Sequence, residues 1–358
     1  MGTTYRDFQP GDMAQQRALF ALSFPETHGT ETGSPAHYLW KFRGIESRPS
    51  AWEYVGEDDG AVVAYYAALP YRYRVDGQTR LAAMVCDVMT HPQWRGRGLF
   101  TGIGRHATTD LAHSGAAFTT GYPIRPEVIP GHLKIGWRIV QSLPVWLRPL
   151  GSRSMLPPQL RLISPILDAC LQFMQRILAR PRRLDACDVL ERDQFLSSLA
   201  DSPEYARFLE RWMGGVPNAL IKDAAFIRWR TGAPGSRYQF ITLRHEGDLV
   251  GLAIVRPTEL KGIRCLAVLD FMLVPGYEQS ARSLHHTLGS VAVAHGLDAV
   301  ACMCSQVWAR RYRFIRCGYL RTPAVFSLIV KKLDLQLQEA TVTDGSRWHV
   351  FWLDSDDL

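Results

Sequence analysis

The sequence predicts an α/β (α+β) fold that occurs twice along the chain. Strand-like and helix-like stretches alternate through the first half, which is typical of a sheet flanked by helices. A glycine-rich turn, Gln93-Trp94-Arg95-Gly96-Arg97-Gly98, joins an apolar strand to a helix, and motifs of the first half recur in the second. With 358 residues, the chain is long enough for two domains that each bury a core.

Apolar periodicity and turn residues place the elements of the first half. The dipeptide Asp76-Gly77 predicts a hairpin turn, because both residues accept a positive φ. The predicted elements are, in order, a helix at 13–24, strands at 52–55 and 62–69, a hairpin at 71–81, a fuller strand at 81–90, the glycine turn, a helix at 99–113 and a short strand at 116–121.

The glycine turn has the composition of a phosphate-binding loop. Glycines let the backbone approach an anion closely, and free N–H groups at the start of the following helix point toward it. Arg95 and Arg97 add positive charge. The spacing alone is common by chance, so the strand-turn-helix setting is what supports the prediction.

The second half of the chain repeats the first. Residues 86–92 align with 269–275, and residues 133–137 align with 315–319. The copies differ at the glycine turn, where the second has Gly276-Tyr277-Glu278-Gln279-Ser280-Ala281, with no arginine and an added carboxylate. A negative side chain disfavours phosphate binding, so the second copy is expected to be non-catalytic.

Residues 151–184 differ from both copies in composition. They are basic and broken by prolines, and their apolar residues recur at helical spacings. The predicted stripe comprises Leu160, Ile163, Leu167, Leu171, Met174 and Leu178. Two interpretations stay open, a helical connector packed between two domains and a helix on a membrane surface.

Charge and cysteine usage narrow the function classes. The net charge of +7 comes from scattered Lys and Arg residues, so no nucleic-acid partner is expected. Seven cysteines without a C-x-x-C pair indicate reduced thiols and a cytoplasmic protein with no metal, and Cys302-x-Cys304 is interpreted as strand core. No transmembrane segment is predicted.

With these motifs in place, the chain resembles the GCN5-related N-acetyltransferase (GNAT) superfamily. The resemblance rests on residues 87–100, Gly121-Tyr122-Pro123 and Lys134-Ile135-Gly136-Trp137. It is similar to the tandem bacterial type with one active and one degenerate domain. The resemblance implies a mixed, mostly antiparallel central sheet flanked by helices in each copy. The expected ranges are a catalytic domain at 1–150, a helical connector at 151–184, a degenerate domain at 185–335 and a tail at 336–358.

The resemblance also implies acetyl-CoA, or another acyl-CoA, as co-substrate. Val88 and Thr90 would pair through their backbones with the pantetheine arm, and the N–H near Val88 would support the thioester oxygen. The residues implied in cofactor binding are Val88, Met89, Thr90, Arg95, Gly96, Arg97, Gly98, Leu99 and Phe100.

Direct attack of an amine on a thioester needs a proton donor and a base. His132 is one candidate donor, because an ordinary histidine titrates near neutral pH, and packing near the cofactor is its alternative role. Tyr122 is the second candidate donor. Asp87 is the candidate base, although Asp270 at the matching position of the degenerate copy also suggests a structural role.

Other groups stay open as the base. Glu26, His28 and Glu31 lie in a loop that could face the acceptor, and an ordered water could also serve. The acidic stretch 354–358 is expected to be a solvated end. The resemblance to acetyltransferases of the enhanced-intracellular-survival type also makes the terminal carboxylate of Leu358 a candidate base.

The predicted activity is N-acyl transfer, by direct attack, to the amine of a small molecule such as an amino sugar. Ile124 stands where close relatives carry asparagine, which leaves a longer acyl donor open. Two alternatives are kept: a non-catalytic CoA-binding or scaffold protein, and an acyltransferase at a membrane surface. The sequence leaves the oligomeric state open.

Overall fold

Two units make up this computed structural model, which describes residues 2–45, 50–154, 156–179 and 185–356. Unit 1 contains Met1–Gln141, Gly232–Gly235 and Ser327–Arg347. Unit 2 contains Ser142–Thr231, Ser236–Phe326 and Trp348–Leu358. Among the described residues, no helix combines the length and the hydropathy that crossing a bilayer requires.

The first half of the chain forms strands and helices close to the predicted positions. One difference is that the predicted strand at 62–69 and the first arm of the hairpin form a single strand, β3, which continues through Pro70. The elements are β1 (Thr4–Asp7), α1 (Met13–Ser23), α2 (Pro35–Arg43), β2 (Trp52–Asp58), β3 (Ala61–Val75), β4 (Gln78–Thr90), α3 (Leu99–His113), β5 (Phe118–Gly121), α4 (Ile129–Leu133) and β6 (Arg138–Pro149).

The rest of the chain begins with a 3-10 segment at Pro158–Ile163. The elements that follow are α5 (Ser164–Leu178), β7 (Ala186–Glu191), α6 (Arg192–Phe195), α7 (Pro203–Met213), β8 (Asn218–Leu220), α8 (Ala224–Arg230), β9 (Gln239–His245), β10 (Asp248–Leu260), β11 (Ile263–Leu273), α9 (Ala281–Ala294), β12 (Ala299–Met303), α10 (Gln306–Arg311), β13 (Leu320–Lys332), α11 (Glu339–Thr343) and β14 (Trp348–His349).

In unit 1 the strands lie in the order β1-β2-β3-β4-β5, and the end of β13 follows β5. Neighbours are antiparallel except β4 and β5, which are parallel. The β3–β4 hairpin turns at Asp76 (φ 48°) and Gly77 (φ 77°), as the sequence predicts for a tight turn with two left-handed residues. Ile103, Ala107 and Leu111 of α3 are fully buried in the core of this unit.

In unit 2 the order is β7-β9-β10-β11-β12, and the end of β6 follows β12. Here too the neighbours are antiparallel apart from one parallel pair, β11 and β12. The predicted fold class, mixed α/β with a mostly antiparallel sheet flanked by helices, is confirmed.

The division into units differs from the expected ranges at two strand ends. Val145–Pro149 of β6 pair with β12 in unit 2, and Ile329–Lys332 of β13 pair with β5 in unit 1. Each half of the chain therefore supplies a strand end to the unit formed mainly by the other half. The cause is long-range strand pairing, which local sequence patterns do not encode.

Candidate acyl-CoA site

The open edge of β4 defines the candidate site in unit 1. β4 and β5 pair from Ala82↔Phe118 to Val85↔Gly121, after which β4 continues to Thr90 without β5. Beyond Val85, Val88 and Thr90 are half-buried and Met89 is buried. This edge of β4 can therefore accept an extended ligand as an added strand.

A β-bulge in β4 lies at the point where the two strands separate. Cys86 is opposite Ala67 and Met89 is opposite Tyr65, so two β4 residues lie opposite Tyr66 alone. Asp87 has a φ of 47°, in the left-handed region. Bulges bend a strand, and this bend contributes to the opening beside β5.

The glycine loop after β4 presents a row of backbone donors. Gly96 (φ 79°) and Gly98 (φ 81°) are left-handed, and Gly98 is the N-cap of α3 without a side-chain cap. The first helical hydrogen bond runs from Gly102 N to Gly98 O. Among the described residues, the N–H groups of residues 96–101 have no hydrogen-bond acceptor. Six successive donors at the start of a 15-residue helix form a site for a polyanion.

Side chains around the loop fix its position and add positive charge. Trp94 Nε1 donates to Asp58 Oδ2 over 2.9 Å, which ties the loop to β2. The Arg97 guanidinium lies 5.7 Å from the centre of the Trp94 ring. Arg95 and Arg97 are exposed, so both charges are available to an anion.

His132 lies on α4, as expected for a helix residue, and packs beside the start of α3. Its ring lies 5.0 Å from Phe100 and 4.8 Å from Trp137. A Cβ at Gly131 would lie 2.5 Å from Phe100 Cε1, so this glycine permits the close approach of the two helices. Burial lowers the pKa of His132 to about 4. The imidazole is neutral at pH 7, which removes the reason for predicting it as a proton donor.

Tyr122 follows β5 directly, at the mouth of the opening between β4 and β5. Its hydroxyl lies 3.3 Å from the hydroxyl of Tyr73, and the side chain is 6% exposed. Of the two candidate donors, Tyr122 is therefore the one that lies next to the last β4–β5 pair, Val85↔Gly121.

Asp87 forms an ion pair with a lysine from α2. Lys41 Nζ lies 2.9 Å from Asp87 Oδ1, and both side chains are largely buried. This ion pair connects α2 to β4 at the bulge. The pair favours the structural role of Asp87 over the catalytic one.

A buried carboxylate that sequence reasoning missed lies on β2. Glu53 accepts hydrogen bonds from the Tyr38 and Tyr65 hydroxyls over 2.6 and 2.5 Å, and Arg43 completes an ion pair with it. Burial, with the Glu53 charge next, raises the pKa of Tyr65 well above its usual value. The residues around Glu53 come from α2, β2 and β3, so no local sequence motif indicates this network.

The candidate loop residues are exposed. Glu26 accepts a hydrogen bond from Arg125 over 2.6 Å, and His28 and Glu31 are exposed. Ile124 is 60% exposed. The carboxylate of Leu358 lies outside the described residues.

In unit 2 the corresponding loop is closed by its own side chain. Glu278 Oε2 accepts from Gly276 N over 3.0 Å, and its Oε1 lies 3.3 Å from Arg311. Further N–H groups bond within the loop, from Tyr277 to Val274 and from Ser280 to Tyr277. Glu278 thus adds a carboxylate to this loop. Ser280 N and Ser283 N, which align with the free N–H groups of Arg97 and Phe100, donate to backbone carbonyls over 2.9 and 3.0 Å.

The strand edge in unit 2 is also covered, around Phe271, which aligns with Val88. Phe271 N donates to Asp270 Oδ1 over 2.8 Å, and His349 Nε2 donates to Phe271 O over 3.1 Å. The His349 ring packs 4.7 Å from both Trp308 and Phe351. The C-terminal segment therefore fills the position at which unit 1 has an open edge.

The expectation of a solvated acidic end is wrong for Asp354 and Ser355. Asp354 is fully buried, and its Oδ1 lies 3.3 Å from Lys222 Nζ. Phe351 N donates to Asp354 Oδ2 over 2.8 Å. The carboxylate is buried because Lys222 and a backbone donor compensate its charge.

Comparison with known proteins identifies the class. Residues 4–140 match the family described as "Acetyltransferase (GNAT) domain". None of the curated proteins compared matches the chain.

Solved structures with the same fold include proteins from three bacteria. One is a GCN5-related N-acetyltransferase from Anabaena variabilis (13% identity, TM-score 0.65), with 92% of this chain and 73% of that one covered. A second is a conserved protein of unknown function, probable N-acyltransferase, from Enterococcus faecalis (12% identity, TM-score 0.66), with 94% of this chain and 74% of that one covered. A third is a GCN5-related N-acetyltransferase from Kribbella flavida (15% identity, TM-score 0.61), with 93% of this chain and 71% of that one covered.

These structures share the fold of this chain, and the family match identifies a GNAT acetyltransferase domain at residues 4–140.

Proposed function

We propose that unit 1 transfers an acetyl group from acetyl-CoA to the amine of a small molecule, such as an amino sugar. The observation that carries this proposal is the row of N–H groups at residues 96–101 beside the open edge of β4. The pyrophosphate would lie on these donors and on Arg95 and Arg97, and the pantetheine arm would pair with Val88, Met89 and Thr90. Leu99 and Phe100 belong to the same helix start.

Catalysis by this chain would rest on positioning and on a polarised carbonyl. The backbone N–H near Val88 would donate to the thioester oxygen as negative charge develops there. A neutral amine would attack the carbonyl carbon, the carbon–sulfur bond would break, and the thiolate would take a proton. We assign this proton donation to Tyr122, because it lies where β4 and β5 separate.

We assign supporting roles to the other two candidates. His132 would hold Phe100 and the start of α3, since its neutral, buried ring packs against Phe100. Asp87 would position β4 at the bulge through its ion pair with Lys41. A water, or a loop carboxylate such as Glu26, is left to accept the amine proton.

Unit 2 would be the degenerate member of a tandem pair. Its strand order and single parallel pair match those of unit 1, while Glu278 and His349 occupy the loop and the strand edge. We therefore propose one active unit per chain. A cytoplasmic location stays a prediction; within the described residues, none of the seven cysteines forms a disulfide.

Calorimetric titration with acetyl-CoA and a CoA-release assay with a panel of amines test the proposal. Binding of acetyl-CoA to the intact protein, with one site per chain and release of CoA on addition of an amine, would support it. Absence of binding would overturn it, and binding without turnover across the panel would favour a CoA-binding protein. Assays with a series of longer acyl-CoA donors would test whether the enzyme, with the exposed Ile124 in place of asparagine, accepts a longer acyl group.

A further inference from the structure

A row of exposed apolar side chains lies on α5. Ile166 is 69% exposed, Phe173 is 68% exposed and Ile177 is 57% exposed. The full set, called the α5 stripe below, is Ile166, Leu167, Cys170, Phe173, Met174 and Ile177, each of which is exposed. At 100° per residue these six positions fall within an arc of about 120° along the helix.

The opposite side of α5 faces unit 2. Ser164 and Ala179 are buried at the two ends of the helix. Asp168 Oδ1 accepts from the backbone N–H and the hydroxyl of Ser152, over 2.6 and 2.7 Å. The helix is thus held to the protein by its more polar side, and its continuous apolar side is presented outward. The predicted stripe, which ran through Leu171 and Leu178, lies partly between these two sides; the side chain of Leu160 lies outside the described residues.

The charges of this segment indicate what the stripe meets. Residues 151–184 contain six arginines, and Asp168 is their one carboxylate. That carboxylate lies on the side of α5 opposite the stripe, where it accepts hydrogen bonds from Ser152. An apolar helix face within an arginine-rich segment is complementary to an anionic surface that has an apolar interior.

A second copy of the chain would be a poor occupant. In a two-fold dimer each patch meets its own image, so the arginine-rich segments would approach each other. Like charges at an interface reduce affinity and favour other partners. A bilayer offers negative headgroups to the arginines and acyl chains to the stripe at the same time.

We propose that the α5 stripe docks on an anionic lipid bilayer, with α5 lying in the plane of the headgroups. The helix spans about 22 Å, from 15 residues at 1.5 Å each. It is therefore an interfacial helix in length and pattern, and the active unit would work at a membrane surface. This proposal does not depend on the acceptor or on the acyl group.

The full chain can be tested with vesicles of phosphatidylcholine and of an equal mixture of phosphatidylcholine and phosphatidylglycerol. Cys170 provides a probe within the stripe, because it is exposed. Cys187 is half-buried, and burial raises its pKa to about 11, so a polarity-sensitive thiol dye at neutral pH should select Cys170 over Cys187. We expect the dyed protein to co-float with the anionic vesicles with a blue-shifted emission, and to dissociate as salt is raised.

Two variants and a control separate the contributions. The double variant I166E/F173E should bind the anionic vesicles at least about tenfold more weakly, because it places charge in the apolar stripe. R182Q/R183Q should weaken binding and flatten its salt dependence. The control L335E changes a side chain that is 91% exposed in unit 1, and it should bind as the original protein does.

The proposal is overturned if the original protein does not bind anionic vesicles at low salt, or if I166E/F173E binds them equally well. A dimer in light scattering that I166E/F173E dissociates, without vesicle binding, would instead identify the stripe as an interface between copies. If I166E/F173E does not fold, the dye and salt measurements on the original chain decide the question.

Discussion

Lys222 and Asp270 form an ion pair in the interior of unit 2, with Nζ 2.5 Å from Oδ2 and neither side chain exposed. Lys41 and Asp87 form a similar pair in unit 1, at the aligned position of β4. In unit 2 the neighbouring strand edge is covered by His349, so the pair there has no ligand to serve. The occurrence of this aspartate–lysine pair in both units therefore favours a structural role for it.

Removing Lys222 is expected to destabilise unit 2 strongly. K222M would leave Asp270 and Asp354 buried together without a cation, and breaking a buried pair in this way costs about 3–5 kcal/mol. Urea unfolding followed by tryptophan fluorescence would measure the change in the free energy of unfolding.

A matched control uses an exposed pair of the same unit. Arg228 and Asp201 lie 2.6 Å apart, with side chains 46% and 65% exposed. R228M should change the free energy of unfolding by no more than about 1 kcal/mol. Similar small losses in K222M and R228M would contradict the structural assignment of the Lys222 pair.

The role of Asp87 can be separated from that of a base by comparing D87N with K41M. If the pair positions β4, both variants should lower kcat by a similar factor and leave the shape of the pH–rate profile unchanged. A base would behave differently: D87N alone would lose about 10²–10⁴ in rate, together with the acidic limb of the profile. Steady-state kinetics over a range of pH would give the answer.

His132 should make the protein less stable in acid. Burial lowers its folded pKa to about 4, while the unfolded chain titrates near 6.5. The unfolded state then binds a proton first, so stability is complete above pH 6.5 and is lost as the pH falls toward 4. The full difference is about 3 kcal/mol.

The variant H132F tests both the stability and the role of this side chain. A phenyl ring keeps the contacts with Phe100 and Trp137, so kcat should stay within about threefold of the original, against the 10²-fold or greater loss expected for an acid. The difference in thermal stability between the original and H132F should change steadily from pH 6.5 to 4. H132A should instead lower stability at every pH, because it leaves a cavity beside Phe100.

The structural features that depend only on residues adjacent in the sequence could be predicted from it. The turn at Asp76-Gly77 and the left-handed glycines at 96 and 98 follow from backbone sterics, and these features position the loop on α3. The burial of Asp354 could not be predicted in this way, because its partner Lys222 is 132 residues away. The pairing of the strand ends at 145–149 and 329–332 and the low pKa of His132 likewise depend on residues brought together only by the fold.

The glycine loop gives the sharpest test of the active unit. A side chain at Gly98 would meet no atom within 4 Å, although its φ of 81° is strained for other residues. G98N and G98D share this backbone strain and nearly the same shape, and only G98D places a negative charge beside the free N–H groups. We expect G98N to weaken acetyl-CoA binding by a few-fold, and G98D by at least about 100-fold, because the added carboxylate repels the pyrophosphate.

The second copy provides the control for that experiment. E278A removes the carboxylate that fills the matching loop of unit 2, together with a partly exposed ion pair to Arg311, whose loss costs at most about 1 kcal/mol. Acetyl-CoA affinity in E278A should therefore equal that of the original chain within about twofold, with one site per chain by calorimetry. Equal losses in G98D and E278A, or a second site in E278A, would show that the assignment of one active and one degenerate unit is wrong.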